Sequence, residues 1–369
     1  MYNVARLRDE AEAFRGAVER AEPFRPLMVK LKLTWQCNLA CPMCHYWRRD
    51  LPTALTTDLV ARTLDDLAAL GCAKVHFSGG EPTIRPDLPD LIAHARQLKL
   101  RVALTTNATL ITRDLAKRLA RAGLNSVCVS MDSPVRSVHD HMRGAPGAFK
   151  RTVAGVRELR RAAQRHGTPL PIRINTVVAR ENYATLDKLP ALAHALGAQS
   201  LLLMPVDDHT GALVLNKRRL LDYNQRIAPA LASRALAFGL MRQISEAFPF
   251  GITKPELASS RDGRYARGLY ERQPCYAPWT HALVAADARV APCCGAPLVT
   301  LGDLHEQSFA EIWRGEAYRH LRETMRDGTP LPECATCDTF LAENRILHQY
   351  LISNSQSPSH DETDLGRTR

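Results

Sequence analysis

Between residues 28 and 205 the sequence alternates short apolar, β-rich runs with stretches of helical periodicity, and this alternation constrains the fold more than anything else in the chain. The runs are Met28–Thr34, Lys74–Ser78, Arg101–Thr106, Ser126–Met131, Ile172–Val178 and Ser200–Pro205. Helical patterns fall between them near 56–70, 87–98, 112–122, 149–166 and 184–196. Strands separated by helices can join one sheet only in parallel, through right-handed crossovers. The spacing therefore predicts an α/β fold, an open (β/α)6 partial barrel, with its active site at the carboxyl ends of the strands. A helix is expected over 3–22, where Val4, Leu7, Ala11, Phe14 and Val18 share one face.

After Pro205 the alternation stops. The expected organisation is an N-terminal helical segment (1–27), the barrel (28–205), a helical substrate region (206–274), a small cysteine-bearing appendage (275–352) and a polar disordered tail (353–369). No apolar run reaches the length of a membrane span, and the charged first residues carry no signal core. A cytoplasmic protein without membrane partners is expected. The formal charge of +11 gives a lean toward an anionic substrate. The basic residues are scattered rather than gathered into a stripe, which argues against a nucleic-acid partner.

Ten cysteines without a secretion signal point to metal or catalysis rather than disulfides. Cys37, Cys41 and Cys44 follow the first strand within one short loop. Three thiolates there can hold a four-iron cluster with one iron left open, or a structural zinc with His45 as fourth ligand. Ser78-Gly-Gly-Glu-Pro82 follows the second strand, where paired glycines allow close backbone approach and Glu81 supplies an acceptor. Cys275, Cys293, Cys334 and Cys337 form a second set, with only the last pair in local metal-binding spacing. These four would also suit a zinc site. Cys72 and Cys128 read as core residues.

CxxxCxxC followed by GGEP resembles the radical S-adenosylmethionine (SAM) superfamily over about residues 28–205. The resemblance implies that Cys37, Cys41 and Cys44 ligate a 4Fe-4S cluster whose open iron binds SAM. Gly79, Gly80 and Glu81 would hold the methionine amino group, and Arg143 would grip the carboxylate bidentately. Asn107, Ser130, Asn175 and Met204 would line the rest of the cofactor site. The second cysteine set resembles the SPASM/twitch appendages of that superfamily, which carry an auxiliary 4Fe-4S cluster. Four ligands imply one closed cluster, suited to moving an electron. Ala288 stands where such appendages place a turn glycine. Cys293 is favoured over the adjacent Cys294 as ligand. Cys294 is then a candidate hydrogen-atom donor, and Asp132 a candidate catalytic acid or base.

The resemblance thus implies an oxidoreductase acting on a peptide or small natural-product substrate, with flavodoxin or ferredoxin as reductant. The segment before the barrel is too short for a peptide-docking domain. Two other readings are an RNA-modifying relative and a non-catalytic zinc or iron–sulfur protein.

Overall fold

The computed structural model describes residues 7, 9–48, 53–208 and 210–353. Six parallel strands form the barrel: β1 (Met28–Lys32), β2 (Lys74–Ser78), β3 (Arg101–Thr106), β4 (Ser126–Ser130), β5 (Ile172–Val178) and β6 (Ser200–Pro205). Before them comes α1 (Ala11–Glu19), and the crossovers carry α2 (Thr57–Ala69), α3 (Leu88–Gln97), α4 (Arg113–Arg121), α5 (Arg136–Met142), α6 (Ala148–His166) and α7 (Leu189–Ala195). Thr56 and Thr112 start α2 and α4 by accepting the backbone N–H of Leu59 and Leu115, which offsets donors the first helical turn leaves unpaired.

The strands alternate, as pleating requires. Val29, Leu31, Val75, Phe77, Val102, Leu104, Val127, Val129, Ile172 and Ile174 pack against the helices in one core. The alternate positions carry Lys30, Lys32, His76, Thr105, Arg173 and Asn175, so the inner face is polar. A closed barrel would fill that space with apolar layers. This one stays open, and His76 Nε2 meets the Thr105 hydroxyl there at 2.7 Å.

Beyond Pro205 lie α8 (Lys217–Asp222), α9 (Ala228–Ala237) and α10 (Lys254–Arg261). After α11 (Ala277–Thr280), β7 (His281–Val284) joins β1 in parallel, with Met28 opposite His281. The antiparallel strands β8 (Arg289–Ala291) and β9 (Gly302–Asp303) complete a single nine-stranded sheet in the order β6-β5-β4-β3-β2-β1-β7-β8-β9. The cysteine-bearing segment thus shares its sheet with the barrel.

Three more helices follow: α12 (Phe309–Arg314), α13 (Glu316–Arg326) and α14 (Leu341–Ser353). A second core gathers Phe14 and Val18 of α1 with Cys275, Tyr276, Trp279, Leu321 and Leu347, so the opening helix packs on the appendage. Arg322 is fully buried there. It donates to the carbonyls of Pro278 and Trp313, and its guanidinium lies over the Trp313 and Tyr318 rings. Of the tail expected over 353–369 only Ser353 is described, as the last residue of α14. No described helix is long and apolar enough to cross a membrane.

Candidate active site

The cysteine loop leaves β1 and is held by backbone on two sides. On one side, Gly80 N–H donates to the Thr34 carbonyl and Glu81 N–H to the Gln36 carbonyl, at 2.7 and 2.8 Å. A Cβ on Gly79 would stand 2.5 Å from the Thr34 carbonyl oxygen, and one on Gly80 2.0 Å from that of Gln36. These two glycines are therefore needed for contact with the cysteine loop itself. On the other side Gly144, with φ +59°, faces the Ala40 carbonyl oxygen, which a Cβ would approach to 2.2 Å. Trp47 Nε1 donates to the Cys41 carbonyl at 3.0 Å. Tyr46 lies between the Trp35 ring, stacked at 5.3 Å, and Lys32 Nζ, 3.6 Å from the ring centroid.

The Glu81 carboxylate is buried. Its Oε1 accepts from the Thr83 N–H and hydroxyl and the Thr106 hydroxyl, and its Oε2 from the Asn107 N–H, at 2.6 to 3.1 Å. Burial raises its pKa and those bonds oppose the rise. The carboxylate thereby braces the end of β3. The Asn107 side chain donates to Asn38 and accepts from Thr109. Asn38, inside the cysteine loop, escaped the sequence reading because one asparagine between cysteines carries no pattern.

Arg143 contacts Asp132 at 2.7 Å and reaches toward Cys41 Sγ at 4.0 Å. Asp132 is fully buried. Its Oδ1 accepts from the Val177 N–H, its own N–H meets His139 Nδ1, and Asn182 donates to its carbonyl. Burial raises the Asp132 pKa while Arg143 opposes the rise. Asp132 thus stands behind Arg143 as the counter-ion that aims the guanidinium. Arg143 Nε is buried without a hydrogen-bond partner, a donor left over beside the cysteine loop.

Ser130 and Asn175 stand opposite each other on β4 and β5, and Met204 opposite Val177 on β6. All three are half-buried on the inner face, although Asn175 Oδ1 already accepts from Arg173. His45 is exposed and near enough to Asp208 to lower its pKa.

In the appendage, the β7–β8 turn forms although Ala288 replaces glycine. Ala288 takes φ +68° and donates its N–H to the Ala285 carbonyl at 3.0 Å. The turn delivers Cys293 beside Cys337: a Cβ on Gly295 would lie 3.8 and 3.5 Å from their sulfurs. Cys275 and Cys334 join them in the same packed group. Burial raises all four thiol pKa values, those of Cys334 and Cys337 to about 12, and repulsion from neighbouring thiolates adds to the rise at Cys293, Cys334 and Cys337. Thiols so crowded are suited to a positive partner that displaces their protons.

The donor sets fit clusters. Among the described residues no group of three or more His, Cys, Asp or Glu converges as a single metal ion needs. A four-iron cluster does not require that, because each thiolate takes its own iron.

Cys294 lines a cavity of about 770 Å³ that Cys337 also borders. Tyr46, Pro205, Val206 and Tyr265 wall it on the barrel side, and Cys294, Gly295, Leu298 and Cys337 on the appendage side. It sits at the carboxyl ends of the strands. A smaller cavity of about 360 Å³, lined by Gly167, Leu170 and Gln199, lies at the amino ends of β5 and β6, away from both cysteine sets.

The radical SAM superfamily model matches residues 31–189, and that of the SPASM iron–sulfur cluster-binding domain residues 275–338. An AdoMet-dependent heme synthase of Methanosarcina barkeri is 32% identical, over 81% of this chain and 85% of its own. A PqqA peptide cyclase of Rhodopseudomonas palustris is 30% identical, over 85% and 79%. Among solved structures, Streptococcus suis SuiB bound to S-adenosylmethionine superposes with a TM-score of 0.64 at 17% identity, covering 89% of this chain and 76% of that one.

Proposed function

Because the chain belongs to the radical SAM superfamily and carries a SPASM-type iron–sulfur domain, we propose that it is an oxidoreductase removing a hydrogen atom from a substrate held between its two cysteine sets. The cofactors of such an enzyme are a 4Fe-4S cluster, SAM and an auxiliary iron–sulfur cluster. Together they supply one chemistry: electron transfer into SAM, cleavage to methionine and a 5′-deoxyadenosyl radical, hydrogen transfer from a substrate carbon to give 5′-deoxyadenosine, and an exit for the leftover electron.

The chain's own groups divide this work. Cys37, Cys41 and Cys44 would hold three irons of the barrel cluster. The Gly79-Gly80 backbone keeps that loop in place, and Arg143, aimed by Asp132, presents its spare Nε–H to the SAM carboxylate. Ser130, Asn175 and Met204 would border ribose and adenine along the inner face. Cys275, Cys293, Cys334 and Cys337 would hold the auxiliary cluster, and flavodoxin or ferredoxin would supply the first electron.

The observation that carries this reading is the cavity. It reaches Tyr46, two residues past Cys44, on one side and Cys337 on the other. A substrate there would lie within reach of both clusters. Asp207, Asp208, Arg261 and Tyr265 line it as well, which supports 206–274 as the substrate-binding segment. Its charged lining is Asp207, Asp208, Asp262, Glu333 and Asp338 against Arg261, itself paired with Asp262 at 2.9 Å. This wall disfavours an anionic face on the substrate, contrary to the lean from net charge, and favours one rich in donors or positive charge. Relatives named for a peptide cyclisation and for heme synthesis bracket the class as peptide or small molecule.

Anaerobic incubation with SAM and dithionite tests the assignment. Release of 5′-deoxyadenosine should vanish in Cys41→Ala and persist in Cys334→Ala. Persistence in Cys41→Ala would sink the reading.

Cys294 supports a second outcome at the same site. It lines the cavity, where its thiol would return a hydrogen atom to the substrate radical, giving epimerisation. Solvent deuterium would then enter the product in wild type and not in Cys294→Ala; equal incorporation in both would exclude it.

A further inference from the structure

The auxiliary cysteines differ in what surrounds their sulfurs. Cys275 is buried, and its Sγ accepts from Asn344 Nδ2 at 3.6 Å. Asn344 lies on α14, past the end of the matched iron–sulfur domain at residue 338. It is itself 2% exposed.

The orientation of its amide is fixed by groups of unambiguous sense. The Tyr276 N–H can only donate and meets Asn344 Oδ1 at 2.7 Å. The Phe340 carbonyl can only accept and takes a proton from Nδ2 at 2.9 Å. The amide therefore cannot be flipped, and its N–H₂ faces Cys275. Nδ2 also donates to the Tyr270 hydroxyl at 3.1 Å, and that hydroxyl gives its own proton to the Thr339 carbonyl at 3.4 Å. The side-chain donor that meets the buried sulfur is therefore the Asn344 amide.

We propose that Asn344 is a positioning residue that raises the reduction potential of the auxiliary cluster through Cys275. The inference rests on the reading above that Cys275 is a cluster ligand. Adding an electron makes the cluster more negative and its thiolate sulfurs stronger acceptors. A donor at Sγ therefore stabilises the reduced state more than the oxidised one. In a buried site of low dielectric such a bond differs appreciably between the two states. The consequence is functional: a higher potential makes the cluster a better acceptor for the electron left on substrate.

The test is potentiometry on full-length protein in the Cys37/Cys41/Cys44→Ala background, where only the auxiliary cluster is observed and no turnover is needed. Asn344→Leu removes the N–H₂ at similar volume and adds no charge. Asn344→Asp keeps the acceptor for the Tyr276 N–H and removes the N–H₂. Each should lower the reduced-to-oxidised ratio at fixed potential by about tenfold, about 59 mV for a one-electron couple, with iron content unchanged. An unchanged midpoint with full iron in Asn344→Leu, or in Asn344→Asp, would overturn the proposal. Cys275→Ala in the same background separates the two levels. Unaltered iron and spectrum there would show that Cys275 is not a ligand, which removes the premise. Loss of iron there with unmoved midpoints in the donor variants would refute the tuning alone.

Discussion

Gly144→Ala isolates the mechanical coupling between the arginine segment and the cysteine loop. At φ +59° an alanine pays the left-handed penalty of about 1–2 kcal/mol. Its Cβ would also stand 2.2 Å from the Ala40 carbonyl oxygen, whereas ordinary contact begins at 3.4 Å. Ala40 must therefore retreat by about 1.2 Å, or Arg143 must, and overpacking of this kind costs roughly 1–3 kcal/mol. The total of roughly 2–5 kcal/mol is stored beside Cys41. Metal ligands tolerate errors of only about 0.2 Å, so the barrel cluster should assemble poorly while the appendage is untouched. Anaerobically reconstituted Gly144→Ala is expected to hold about four irons instead of about eight and to release little 5′-deoxyadenosine. Gly167→Ala is the control: φ is +66° and nothing lies within 4 Å of the added carbon, so it should keep full iron. If Gly144→Ala retains wild-type iron and SAM cleavage, the loop is not clamped there and the argument fails.

Three further outcomes follow from single residues. Ala288→Gly relieves a left-handed alanine at the β7–β8 turn but adds unfolded-state freedom, so stability should rise by about 0.5–1 kcal/mol in urea unfolding; a loss would show the turn is not strained. Glu81→Gln must turn an amide N–H₂ toward groups that donate to the carboxylate, such as the Asn107 N–H, and should cost about 1–3 kcal/mol and weaken SAM binding in equilibrium dialysis; unchanged binding would remove Glu81 as a brace. Burial holds the His139 pKa at about 3, below its unfolded value, so its contribution is fully present above about pH 6.5 and is lost as pH falls from there toward 3. His139→Asn should reduce the loss of urea stability between pH 6.5 and 5 by up to about 1.4 kcal/mol per pH unit; an identical slope would show that His139 is not the group that titrates.

The barrel was legible because its strands are short, apolar and separated by capped amphipathic helices. β2, β3, β5 and β6 match their expected ranges, and β1 and β4 differ only in ending earlier. Such patterns are local. The parallel pairing of β7 with β1 was not legible, since it joins Met28 to His281 and nothing near either residue encodes it. Site roles divided the same way. Backbone-level features, the three-cysteine loop and its glycines, stood out in the sequence. The partners of Glu81 and Asp132 were not legible because they come from elsewhere: Thr106 and Asn107 for one, Arg143 and Val177 for the other. A carboxylate at a strand end looks unpartnered until the groups that bond to it are in place. The acidic cavity lining was invisible for a related reason. It draws on residues from 207 to 338, while the chain as a whole is basic.

The most direct measurement is iron, sulfide and zinc per chain after anaerobic reconstitution, in wild type and in Cys37/Cys41/Cys44→Ala. Two clusters facing one cavity predict about eight irons falling to about four, with no zinc. About four irons falling to none, with one zinc retained, would contradict an auxiliary cluster that accepts an electron.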